Sequence, residues 1–134
     1  MFRLLSFALC AALVLSGANA ATPRGNTQAT APGKVGEVKG QPAMVTQKGR
    51  TLYVFDEDRD GMSYCDKTCT TPWPPLKASG KDKPSGDWTV ITRHDGSKQW
   101  AYKGRPVYTW YRDKAPGQAE GDGFNGNRWH IARP

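Results

Sequence analysis

Gly49-Arg50-Thr51-Leu52-Tyr53-Val54-Phe55, followed by Asp58, is written a second time as Gly104-Arg105-Pro106-Val107-Tyr108-Thr109-Trp110, followed by Asp113. In both stretches Gly-Arg opens the segment, an aliphatic residue precedes a tyrosine, an aromatic follows two positions on, and an Asp comes three residues later. A tryptophan closes each half, at Trp73 and Trp129. Agreement at this many positions marks a duplicated unit, with copies at 49–76 and 104–134. Each copy reads as a strand. Tyr53 and Phe55 fall on one face and Leu52 and Val54 on the other, so the strand is expected to be covered on both sides. Tyr108 and Trp110 repeat that geometry.

Outward from these strands the pattern stays β. Trp88 to Arg93 favours a strand, His94-Asp95-Gly96 signals a turn, Lys98 to Tyr102 continues as a strand, and Lys103-Gly104 turns into the second copy. The expectation is a meander of Trp88–Arg93, Lys98–Tyr102 and Arg105–Tyr111. The first copy has a matching hairpin, with Met44 to Gln47 turning at Lys48-Gly49. Helical periodicity is confined to one turn around Tyr64 to Thr70. The expected fold class is mainly β: a small antiparallel sheet domain built from two similar strand–turn units, with a disulfide-clipped loop.

The first twenty residues have the layout of a signal peptide. Met1-Phe2-Arg3 is a positive start, Leu4 to Leu15 is apolar, and Ala18-Asn19-Ala20 is a small-x-small cleavage site. The apolar stretch is shorter than the ~20 residues of a membrane-spanning helix, and Cys10 inside it is expected to leave with the signal. The mature chain then lacks a transmembrane anchor and lies in the periplasm or outside the cell. Residues 21–42, rich in Gly, Pro, Thr, Gln and Lys, are expected to form a flexible leader, and 43–134 a single β domain. Without Arg3 the 19 Lys and Arg become 18 against 12 Asp and Glu, a net charge of +6. The bases are scattered, which fits a solvated surface and gives no reason to expect specific nucleic-acid binding.

Cys65 and Cys69 are the cysteines left after cleavage, and outside the cytoplasm an even pair oxidises. Four residues apart on a helical turn, their Cα atoms fall about 6 Å from each other, within disulfide range. So short a loop contributes only about 2 kcal/mol. A redox pair or a soft-metal site is the functional alternative, though no βαβ pattern of a thioredoxin-like scaffold is present. Asp56, Asp58 and Asp60, with Gly61 and Ser63, resemble the opening of a calcium loop, but the twelfth position is Lys67 where a bidentate Glu is required. Calcium is thus the cofactor this loop would take, and ordinary turn residues are the plain reading. His94 and His130 stand outside any metal-spacing motif and are expected to be solvent-facing or hydrogen-bonded. No Gly-x-Ser-x-Gly elbow or phosphate-binding Gly-rich loop is present. Most aromatics are expected in the core, with Trp73-Pro74-Pro75 the candidate exposed platform for a ligand because its prolines hold the chain extended.

Tyr53-x-Phe55-x-x-Asp58 and Tyr108-x-Trp110-x-x-Asp113 resemble the Tyr-x-aromatic-x-x-Asp signature of the bacterial secreted-repeat, predicted-lipoprotein family. The resemblance extends over Gly49 to Leu76, with Cys65, Cys69 and Trp73-Pro74-Pro75-Leu76, and over Lys98 to Pro134, with Trp100-Ala101-Tyr102, Pro116-Gly117, Gly121-Asp122-Gly123 and Trp129. It implies export and carries no established activity, and this chain lacks the lipid-attachment cysteine of the lipoprotein members. Asp58 and Asp113 land just past their strands, where a carboxylate can accept backbone N–H groups and hold the turn. The expected function is an exported, non-catalytic binding or structural module whose partner is a cell-envelope component or a protein. The alternatives are a periplasmic metal-binding protein and a thiol–disulfide redox protein.

Overall fold

The motif strands are covered on both faces, and two separate apolar clusters follow from that. The computed structural model describes residues 30–134. The expected signal peptide and cleavage site, and the leader up to Ala29, lie outside the described residues. Among the described residues there are eight short strands: β1 (Gly33–Val38), β2 (Gln41–Thr46), β3 (Tyr53–Phe55), β4 (Lys77–Ala78), β5 (Trp88–Thr92), β6 (Lys98–Tyr102), β7 (Arg105–Pro106) and β8 (Trp129–Ile131). A 3-10 turn covers Lys67–Thr70. The fold is mainly β, in small antiparallel sheets.

Each copy begins with a hairpin. β1 pairs with β2 around Lys39-Gly40, both at positive φ (53° and 72°), the backbone that a two-residue hairpin turn requires. β5 pairs with β6 from Trp88↔Tyr102 to Thr92↔Lys98. The first hairpin corrects the reading of 21–42 as a flexible leader, since the chain is already strand at Gly33. The small residues that lowered the apolar content are there because nothing larger fits. A Cβ on Gly33 would lie 2.7 Å from the Val45 carbonyl oxygen and 2.9 Å from the Trp88 ring, and one on Gly36 2.9 Å from Val45. The expected meander holds for β5 and β6. Its third strand, β7, keeps to β6 through the Val107 N–H, which donates to Trp100 O (3.1 Å), after which Tyr108 to Trp110 turns to other partners.

Those partners belong to the other copy. β3 pairs with β8 at Tyr53↔Ile131, Val54↔His130 and Phe55↔Trp129. Correspondingly, Leu76 N–H donates to Val107 O (3.0 Å) and Thr109 N–H to Pro74 O (2.9 Å). Each closing segment also reaches the other copy's hairpin: Met44 N–H donates to Ala132 O and Trp100 N–H to Leu76 O, both at 2.8 Å. At the centre Tyr53 and Tyr108 exchange both backbone hydrogen bonds, at 2.8 and 2.9 Å. The two copies are related by an approximate two-fold through this tyrosine pair, and each lends its last strand to the other's sheet.

The two faces of these strands feed the two clusters. Tyr53, Phe55, Val45, Tyr108, Trp110 and Ile131 pack with Trp73 and Trp129 on one side. Leu52, Val54, Met44, Val107 and Ala132 pack with Trp88 and Trp100 on the other. In the first cluster the closing tryptophans lie face to face, with ring centroids 3.8 Å apart and planes 3° from parallel. Phe55 stacks on Trp129 (4.3 Å) and Trp110 packs on Trp73 (4.2 Å). A buried ring of this size removes on the order of 200 Å² from water, about 5 kcal/mol by area. The interleaved stack, with rings drawn from both copies, therefore outweighs any local clip.

Candidate functional site

The signature residues meet across the two-fold. Tyr53 Oη–H donates to Asp113 Oδ2 at 2.5 Å, and Tyr108 Oη–H donates to Asp58 Oδ2 at 2.7 Å. Each tyrosine is thus held by the Asp of the opposite copy. The Asp backbones close equivalent turns, Asp58 N–H to Phe55 O and Asp113 N–H to Trp110 O, both at 3.1 Å. The remaining carboxylate oxygens accept backbone N–H groups from the following loops, Tyr64 N at 2.7 Å and Glu120 N at 3.0 Å. Both phenols are pushed well above the ordinary tyrosine pKa, first by burial and then by the facing carboxylate. Asp58 is also raised, by burial, against the lowering effect of the Tyr64 and Tyr108 hydrogen bonds. Both oxygens of each Asp are thus engaged within the fold. The turn-holding role was legible in the sequence; the crossing between copies was not, although equal spacing of Tyr and Asp in both copies was its one visible trace.

Asp56, Asp58 and Asp60 do not converge as a calcium loop would require. Asp58 points inward to Tyr108, Asp56 lies 2.7 Å from His130 Nε2 and 3.5 Å from Arg105 Nη2, and Asp60 is an exposed turn residue at φ 55°. Among the described residues no group of three or more His, Cys, Asp or Glu is arranged to hold a metal ion.

Cys65 and Cys69 are joined, with Cα atoms 5.3 Å apart. Cys65 is fully buried, and its loop is clasped by a residue the sequence did not single out. Arg93, only 5% exposed, donates to Ser63 Oγ (2.8 Å), Gln99 Oε1 (2.6 Å) and Cys65 O (2.5 Å). Tyr108 Oη already donates to Asp58, which leaves Ser63 Oγ as donor to Tyr108 Oη at 2.6 Å. A buried cation with all these acceptors satisfied ties the disulfide loop to the second hairpin. Beside it a cleft of about 410 Å³ is lined by Asp66, Lys67, Thr70, Arg93, His94 and Asp95, with His94 Nδ1 2.8 Å from Asp66 Oδ2.

Trp73-Pro74-Pro75 is not the exposed platform expected. Trp73 is 3% exposed and lies inside the stack. Pro74 and Pro75 are half-buried, and the Pro74 carbonyl serves the second motif strand. The segment is a lent strand, and its extended backbone serves pairing.

A second opening gathers several bases in one place. A groove of about 220 Å³ has Val54, Tyr102, Ile131 and Ala132 along its floor and Lys103, Arg105, His130 and Arg133 around it. Asp56, against His130 and Arg105, is the carboxylate paired there. Lys103 sits at φ 49° beside Gly104 at φ 79°, which holds it at the tip of the β6–β7 turn with its Nζ 5.6 Å from the Tyr102 ring centroid. Arg133 Nη1 donates to Pro42 O at 2.8 Å. In the sequence these bases look scattered; the crossing of the copies brings the β6–β7 turn beside the end of β8.

A family model described as a secreted repeat of unknown function matches the chain twice, over residues 34–77 and 89–133. Each match opens with a hairpin and ends with the lent strand, so the unit starts one hairpin earlier than the expected copies 49–76 and 104–134. No curated protein matches the chain, and neither does any solved structure.

Proposed function

Because the chain belongs to the family of secreted repeats of unknown function, we propose that it works outside the cytoplasm as a non-catalytic binding module for an anionic component of the cell envelope. The observation that carries this reading is the groove in which Lys103, Arg105 and Arg133 converge with His130 over an apolar floor. Three permanent cations against Asp56 leave a local positive excess, which attracts a phosphate or carboxylate group, while Tyr102, Val54 and Ile131 offer a surface for an attached apolar or ring portion.

Co-sedimentation with phosphatidylglycerol vesicles, alongside titration with inorganic phosphate, tests the reading and separates a lipid headgroup from free phosphate. Binding to one of these probes is expected, weakening with added salt and falling at least about tenfold, some 1.4 kcal/mol, in Lys103→Ala/Arg105→Ala. Binding unaffected by that double substitution overturns the proposal. Stabilisation by calcium and loss of stability on chelation would point to the metal-binding alternative instead.

A further inference from the structure

We propose that the two repeats are exchangeable between chains, so that a second copy of this protein is a binding partner, repeat one of each chain closing on repeat two of the other. Neither repeat completes its own sheet. The slot between β2 and β3 is filled by Trp129 to Ala132, and the slot between β6 and the Val107–Trp110 strand by Trp73 to Leu76. The tyrosine O–H groups and the stacked tryptophans are likewise satisfied across copies. A repeat supplied by another chain presents the same strand, the same carboxylate and the same rings, so each lobe of the closed dimer keeps the approximate two-fold of the monomer while a separate exact two-fold relates the two chains.

The connection between repeats decides which form is made. β4 and β5 flank β6 on opposite edges, with Ala78 opposite Lys98 and Trp88 opposite Tyr102. The link from Ala78 to Trp88 therefore covers about 14 Å along the strands and about 10 Å across them, roughly 17 Å in all. The intervening Ser79–Asp87 is exposed except for half-buried Ser85, and its length reaches that far with ease. With Gly80–Ser85 deleted, the remaining Ser79-Gly86-Asp87 extends at most about 14 Å, too little to close within one chain.

Light scattering during size-exclusion chromatography reads the result. The deletion variant is expected to run at twice the monomer mass with native tryptophan fluorescence, and a monomer with native fluorescence overturns the proposal. Should the deletion prevent folding, a full-length chain carrying a protease site at Lys81–Lys83 gives the same decision. It is cleaved after folding, mixed with an equal amount of isotope-labelled material, unfolded and refolded, then weighed by native mass spectrometry. Random pairing predicts that about half of the reassembled molecules are hybrids; none at all sinks the exchange.

Discussion

Asp58 and Asp113 stand at the same place in the two repeats, each closing a turn and each accepting a tyrosine O–H from the opposite repeat, yet their surroundings differ. Asp113 is 2% exposed, and the loop after it folds tightly over the aromatic stack, with the Gly121 N–H 3.3 Å from Tyr53 Oη. Asp58 is half-buried, in a polar cluster of Ser63, Tyr108 and Arg93 beside a disulfide. One repeat holds its loop by close packing, the other by a covalent bond and a buried cation. The signature thus specifies the joint between repeats, while the loops that follow it are held in different ways.

The steric side of this contrast should show the largest effect. A Cβ on Gly121 would stand 2.6 Å from Trp73 Cη2 and 3.0 Å from Trp110 Cγ, whereas one on Gly61, in the disulfide-bearing loop, meets open space at φ 68°. Gly121→Ala is expected to cost about 3 kcal/mol by overpacking, and Gly61→Ala about 1 kcal/mol through backbone strain alone, both read from urea unfolding. Equal costs would mean that the second loop is not packed more tightly than the first.

The phenol caps should follow the same order. Tyr53→Phe leaves a sealed carboxylate oxygen without its donor and is expected to cost about 2–3 kcal/mol. Tyr108→Phe faces a carboxylate that water can reach, at about 1 kcal/mol. Denaturation midpoints of the two variants in the same buffer check the ranking, and a reversed order breaks the comparison.

The smallest effect sharpens it by pH. Burial raises Asp58 above the ordinary carboxylate value, so its folded form binds a proton more readily than its unfolded form. Its contribution is present below about pH 4 and is lost as pH rises through the raised folded value. Asp58→Asn removes this titration. The stability of the variant relative to the parent is therefore expected to increase as pH rises through that window, measured by paired denaturant unfolding at several pH values. A difference that is flat with pH would show that Asp58 is not strained by its burial.

Much of this architecture was legible in the sequence, and the exceptions share a cause. Alternation in Leu52 to Phe55 sends its residues to opposite clusters as expected, because the period of a strand does not depend on its partners. The β5–β6 hairpin and the Cys65–Cys69 bond are local as well, and both were found. The first hairpin was missed because Gly33 and Gly36 lower the apolar content of β1 while making its close approach possible. Trp73 was misplaced, and Arg93 and the basic groove were overlooked, because each acquires its meaning only when one repeat enters the other. Pairing between residues about thirty or more positions apart leaves no trace in composition or local period.

The closing of β8 on β3 also bears on the order of events during export. Residues 129–131 complete the sheet that 53–55 begin, so a chain threading outward with its N-terminal end first can form its hairpins but not its aromatic centre. Completion of the aromatic centre therefore waits for a pairing between segments more than seventy residues apart, a closure that comes late because its loop entropy must be overcome first.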